Sequence, residues 1–455
     1  MKLHSIRNII AGMAIVGFSG TSIAAIVLPN YNTNPIGERA GLQGGAFLVR
    51  VNDVSATWYN PAGLVKAQRN SISGNASAFV SSEAKKDEAD EGSTFVPVPS
   101  ILGSVGKIYP NLAWGFSVAT PNNLKISNEI RTTKDASNIP ATDYIYNERN
   151  DGLYSLTTPG IAIATSLTEN LRIGFGVRYY MFEVRNFRNI LHMNTHTDNN
   201  DKGFVIADSF DIQYSANSLR LNFGLQYDLN ENVSLGFMFR TPNFQMGGEG
   251  SQYQVLTTQI PGGSETITLQ DERELEVDFA LPYEIGTGIS YTGSKWEFEA
   301  NVRYYGAVTE TNLLDFSLDL KGVSTSSNPY GNVTGSFDVK LAYEFESIIN
   351  YSFGVGRKIG KSTILQAGYY TDKSPLVGDT ETVPFSHIDL VGYTFGFTTY
   401  TKNSSTSYGL VYISGEQEGV LSENKAKDTG SGAVKDEITQ SVSILGLQIS
   451  GSYYF

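Results

Sequence analysis

The sequence predicts an all-β protein, a 14-stranded antiparallel transmembrane β-barrel with an N-terminal plug in its lumen. Three observations carry that expectation. Segments of period-two hydrophobicity run to ten residues or more, the reach of a tilted membrane strand. Short turns and long polar connections strictly take turns along the chain. The N-terminus carries an export signal, which routes the chain out of the cytoplasm.

Composition supports this class and excludes others. Only 17% of the 455 residues are charged, and 26 Tyr and 24 Phe far outnumber 3 Trp. With 46 Gly, this suits strands that face lipid on one side and a crowded lumen on the other. A net charge of −13 argues against a nucleic-acid partner, which requires a basic surface. The absence of Cys excludes disulfides, thiolate metal sites and cysteine nucleophiles, and no cofactor or metal is expected.

Residues 1–24 read as a signal peptide. Lys2 and Arg7 form the positive region, Ile9–Phe18 an apolar run too short to span a membrane, and Ser22-Ile23-Ala24 the small-x-small cleavage site. Residues 25–69 precede the first strand. Their centre, Gly37–Leu64, is rich in Gly and Ala, and its glycines weaken helix and strand alike. Phe47, Leu48, Trp58, Tyr59 and Leu64 are nevertheless too apolar for a solvated tail. The lumen of a fourteen-stranded barrel is wider than side chains alone can fill, so this segment is expected to fold into it.

Residues 70–455 supply the wall. Leu171, Ile173, Phe175, Val177 and Tyr179 alternate with Arg172, Gly174, Gly176, Arg178 and Tyr180. Leu219–Asp228, Val233–Arg240 and Trp296–Tyr305 repeat the pattern, which places one apolar and one polar or small face on each strand. Short turns fall at Lys107–Asn111, Thr168–Asn170, Asn230–Asn232, Gly293–Ser294, Ile359–Lys361 and Lys402–Ser404. Seven long, polar, irregular stretches lie between them, near 82–93, 122–151, 186–215, 243–274, 306–342, 371–386 and 415–437. Seven far-side loops and six near-side turns make fourteen strands, with both chain ends on the short-turn side. The last strand ends in Phe455, and a terminal aromatic carboxylate resembles the signal read by the bacterial barrel-insertion machinery.

Before the first strand stand Gly37, Arg39, Ala40, Gly44-Gly45-Ala46, Asn52-Asp53 and Ser55-Ala56, and above all Trp58-Tyr59-Asn60-Pro61-Ala62-Gly63-Leu64. In these residues the chain resembles the FadL/TodX family of outer-membrane transporters for long-chain fatty acids and other hydrophobic compounds. Phe95-Val96-Pro97, Tyr109-Pro110, Arg240-Thr241-Pro242, Leu281-Pro282 and Phe455 echo it further along. The resemblance implies passive transport in the outer membrane, with a ligand pocket above the plug. It also implies a sideways exit near the third strand, where the lumen positions Ala113, Gly115 and Ser117 are small and Pro121 ends the run.

Four site expectations follow. Asn60, Pro61, Ala62 and Gly63 should form a gating bend against the wall near the third strand, with Asn60 extended and Gly63 in a conformation closed to other residues. Arg178, Arg220 and Arg240 face the lumen, where they could receive a ligand carboxylate or pair with wall and plug acids. His192 and His196 have helical metal-ligand spacing but no third fixed ligand, so a solvated loop is expected. Asp87, Glu88, Asp90 and Glu91 either bridge lipopolysaccharide through cations or are simply solvated. The expected partners are a hydrophobic ligand, outer-membrane lipid and lipopolysaccharide, and the insertion machinery, around a monomer. Two alternatives stay open: a general porin, and a barrel lipase, although no Gly-x-Ser-x-Gly motif is present.

Overall fold

The computed structural model describes residues 29–86, 89–91, 97–135, 142–196, 204–260, 263–323, 334–377, 387–423 and 435–455. The export signal, Asp87 and Glu88 fall outside the described residues, as do the side chains of Asp90, Glu91, His192 and His196.

In chain order the strands begin with β1 (Ser71–Lys86), β2 (Ala89–Glu91), β3 (Pro97–Tyr109), β4 (Leu112–Asp135), β5 (Thr142–Ser166), β6 (Leu171–His196) and β7 (Phe204–Asp228). There follow β8 (Val233–Arg240), β9 (Phe244–Ile260), β10 (Gly263–Leu275), β11 (Glu284–Thr292), β12 (Trp296–Tyr305), β13 (Val308–Val323) and β14 (Thr334–Phe345). The last are β15 (Ile348–Ile359), β16 (Thr363–Asp372), β17 (Leu390–Tyr400), β18 (Ser404–Glu423) and β19 (Lys435–Tyr454). The wall is the antiparallel circuit β1-β3-β4-β5-β6-β7-β8-β11-β12-β15-β16-β17-β18-β19. It closes where Ser71–Lys86 pairs with Tyr454–Gln440. All six predicted short turns join neighbouring wall strands.

The long connections correct the sequence reading. Much of what reads as irregular polar chain is strand: β4 with β5 and β6 with β7 continue as paired hairpins far past the apolar band. Their polar residues kept the period-two pattern without the hydrophobic contrast that makes it visible. β7 pairs with β8 only from Asn222 to Asp228, then with β9 from Val205 to Leu219. β9, β10, β13 and β14 extend that branch as a further sheet.

Burial is inverted relative to a soluble sandwich. On β12, Trp296 and Phe298 are 41% and 46% exposed while Glu297 and Glu299 are 4% and 3%. Phe116, Ile163, Phe175, Phe237, Phe395 and Leu447 likewise point outward. An apolar exterior around a polar interior is stable only with lipid outside, and a closed ladder leaves no strand edge in that lipid.

Residues 29–69 fill the lumen. Two short helices, Glu38–Leu42 and Ala56–Tyr59, and a 3₁₀ helix, Pro61–Lys66, are joined by tight turns. Gly44 takes φ 62°, and a Cβ there would meet the Tyr369 backbone at 3.0 Å, so only glycine lets this turn touch β16. One apolar core therefore lies inside the barrel, between plug and wall.

Candidate functional site: a chamber between plug and strap

The plug is fixed to the wall by buried polar contacts. Arg50 pairs with Glu299 at 2.9 Å and with Glu297 at 3.2 Å, and Arg39 also pairs with Glu297. Glu299 accepts from the Val49 and Arg50 backbone as well. On β18 and β19, Ser405, Ser407 and Ser452 donate to the Glu38 carboxylate, whose pKa is nevertheless raised by burial. The acids of β12, which read as partners of wall arginines, thus serve mainly to hold arginines of the plug.

Asn60 is extended at φ −159°, as expected of a residue before Pro. Its amide donates to Leu48 O at 3.0 Å inside the plug, and to the wall carbonyls of Leu225 and Phe237 at 3.1 and 3.3 Å. Its Oδ1 accepts from Ala62 N at 3.1 Å, which caps the 3₁₀ helix. Two expectations for this motif are corrected. Asn60-Pro61-Ala62 lies against β6, β7 and β8, where Gly174 and Gly224 leave room, and not against the third wall strand. Leu64 and Thr57, which flank the bend, face that strand at Gly115. Gly63 does not have a positive φ; it is glycine because a Cβ would meet Val51 O at 2.2 Å.

Above the plug the inward face changes character. On β6, Arg172, Gly174 and Arg178 give way to Tyr180, Phe182 and Val184, and on β7 Arg220 gives way to Ala216, Tyr214 and Ile212. These aromatics form an apolar cluster with Tyr154, Leu156 and a strap, residues 276–282, that links β10 to β11. Between strap and plug lies a chamber enclosing about 610 Å³ of atom-free space, open solvent included. Tyr31 and Trp58 of the plug, Tyr154 and Tyr180 of the wall, and Phe279 and Leu281 of the strap line it. Tyr31 stacks on Tyr305 at 4.4 Å, and its own backbone and that of Asn32 are tied to β16 by the Asp372 carboxylate, which accepts from both amides. Sequence reading missed these lining residues. The available signal was the switch from polar to apolar side chains at constant parity along β5, β6 and β7.

The three arginines have different surroundings. Arg178 donates to Thr57 O, Thr158 O and Ser117 Oγ at 2.6–3.0 Å, joining plug to wall, and does not line the chamber. Arg240 lines it but is paired with Glu284 at 2.7 Å and donates to Trp58 O. Arg220 lines it and donates to Thr241 O and Pro282 O.

Ala113, Gly115 and Ser117 face the plug, with Ser117 Oγ 2.6 Å from Thr57 Oγ1. The β3–β4 ladder runs from Tyr109–Leu112 to Ile101–Ala119 and stops. Past Ala119, β4 bulges at Thr120 and Pro121 and pairs only with β5 among the described residues, while Pro97–Pro99 of β3 pair with β1. Pro lacks the amide a ladder needs and forces such a break. Pro121 and Asn122 are also chamber residues, so the chamber abuts the wall where its ladder ends.

A closed, plugged barrel of this kind defines a class of bacterial outer-membrane protein. The chain belongs to the OMPP1/FadL/TodX family of outer-membrane transport proteins, whose model matches residues 15–454. The toluene transporter TodX of Pseudomonas putida has a similar structure, with TM-score 0.57 and 16% identity over 93% of this chain and 99% of that one. A FadL homologue of Pseudomonas aeruginosa gives TM-score 0.58 and 14% identity over 94% and 99%. The toluene transporter TbuX of Ralstonia pickettii gives 0.53 and 14% over 93% and 100%. These likenesses show the fold. Comparison with curated proteins gave no match.

Proposed function

We propose that this protein admits hydrophobic compounds through the outer membrane by passive diffusion. Solutes enter the apolar chamber above the plug and leave sideways, at the break between β3 and β4, into the membrane. The observation that carries this reading is the position of Pro121 and Asn122, which belong at once to the chamber lining and to the interrupted ladder. A sideways exit keeps an apolar solute out of the aqueous lumen and periplasm, where its hydration is unfavourable.

The cargo we favour is a long-chain fatty acid, the ligand that the family resemblance implies. Arg220 is the residue placed to receive its carboxylate. It lines the chamber and donates to two carbonyls, whereas Arg240 is already paired with Glu284. Uptake of radiolabelled oleate, toluene and a hydrophilic sugar by cells carrying or lacking the protein tests the reading. Oleate and toluene should enter faster with it and the sugar should not. Faster sugar entry would favour a general porin. Arg220→Gln should weaken oleate uptake and spare toluene if the guanidinium receives the carboxylate.

A further inference from the structure

We propose that the strap, residues 276–282, is the outer gate of the chamber and that Phe279 selects what passes it; this rests on the transport reading above. The strap packs into the apolar cluster of β5, β6, β7, β13 and β14, and its Phe279 and Leu281 line the chamber, so its displacement would open the chamber on that side. Its backbone is held by side chains in place of a continuous strand ladder. Asn243 donates to Phe279 O at 2.6 Å and accepts from Leu281 N at 2.6 Å. Gln245 donates to Val277 O and accepts from Phe279 N. The Tyr343 hydroxyl contacts both Ala280 N and Ala280 O, at 2.7 and 3.1 Å.

Apart from one backbone bond, Asn243 N to Leu281 O at 3.4 Å, the partners of the strap backbone in these contacts sit at the ends of rotatable side chains, so they can be released one at a time. A ladder opens only as a unit. Among the described residues, the one ladder bridge between the strap and its neighbours is the isolated pair Val277 and Leu314. At the near end of the segment, Glu274 holds φ 67°, a left-handed conformation uncommon outside glycine, which suits a hinge. At the far end, Arg220 donates to Pro282 O while lining the chamber. A ligand that engages Arg220 therefore competes for the bond that fastens the strap.

Phe279 supplies the selectivity. Its ring stacks on Phe182 at 4.0 Å and 8°, joining the strap to β6. Truncating it leaves the backbone contacts in place and removes only the closing ring.

The chain has no cysteine, and antiparallel bridge partners such as Val277 and Leu314 are spaced as a disulfide requires. We expect the V277C/L314C variant, oxidised, to take up oleate about tenfold more slowly than the same cells after reduction, because gating limits entry. We expect Phe279→Ala to raise entry of bulky pyrene relative to oleate about fivefold, the scale of a relieved steric filter. Equal uptake in the oxidised and reduced forms would overturn the gate, and an unchanged pyrene-to-oleate ratio would overturn the role of Phe279. If the double-cysteine variant fails to assemble, Phe279→Ala decides alone, with no change in ratio counting against the gate. A parent protein that moves neither probe would remove the transport reading, and the gate with it.

Discussion

At the scale of single residues, the Asn60-Pro61-Ala62-Gly63 bend is held by matched absences as much as by contacts. Ideal Cβ atoms at Gly174 and Gly224 would lie 2.4 and 2.0 Å from atoms of the bend, so the wall has no side chains where it seats. Asn60→Ala with Pro61→Ala leaves the Leu48, Leu225 and Phe237 carbonyls without this donor, roughly 1–3 kcal/mol for each one left unsatisfied. The double variant should assemble normally and take up oleate poorly. Gly224→Val should reproduce that phenotype from the opposite side of the contact. Parent-like uptake by both variants at equal protein levels would reduce the motif to a structural turn. Glu38 gives a pH test. Burial raises its pKa in the docked plug, so docking holds its proton more tightly than undocking does. The docked state is therefore favoured below the ordinary carboxyl range and loses that advantage as pH rises through the raised value. Thiol labelling of Ala46→Cys, taken relative to a free thiol at each pH, should speed up as pH rises above the ordinary carboxyl range, and Glu38→Gln should flatten the rise. A slope that survives Glu38→Gln would assign the titration elsewhere, with buried Asp53, whose pKa burial also raises, the first group to examine.

At the scale of elements, β4 is the strand whose two edges differ. One edge pairs with β5 almost throughout, and the other loses β3 at Ala119. Thr158 Oγ1 donates to Ala119 O at 3.0 Å, so the bulge is stabilised by its neighbour and is not a frayed end. Bulges of this kind re-aim a strand and end its pairing. Deleting Thr120 and Pro121 should let β4 continue its ladder and close the wall. Assembly should persist while oleate uptake falls about tenfold, the effect expected when an exit is sealed. Undiminished uptake would place the exit elsewhere. Gly115→Val tests the adjoining contact, because its Cβ would lie 2.8 Å from both Leu64 and Thr57 and should displace the plug from this strand.

At the scale of the whole molecule, residues 29–69 occupy the lumen, with Phe47, Leu48 and Leu64 fully buried inside the wall. In planar bilayers the protein should be nearly silent, with none of the large steady conductance steps of an open porin. It should be recovered from outer membranes as a strand-rich species whose electrophoretic mobility changes on heating. Removing Phe455 should lower the assembled amount if the terminal aromatic is read by the insertion machinery. Steady large conductance would mean that the plug does not fill the lumen in a bilayer.

The sequence alone determined the barrel. Side-chain period and turn spacing are local properties, and Trp296-Glu297-Phe298-Glu299 already states which face meets lipid. Strand number, closure and the family follow from counting such segments and from the Trp58–Leu64 motif. What only the tertiary structure decided is which residues meet across the lumen. Nothing local says that Glu297 and Glu299 hold Arg39 and Arg50 of the plug, that Asn60 bonds wall carbonyls on β7 and β8, or that Phe279 reaches Phe182. Those contacts join segments about a hundred to several hundred residues apart. They depend on closure and register, which fix distances that no window of sequence contains.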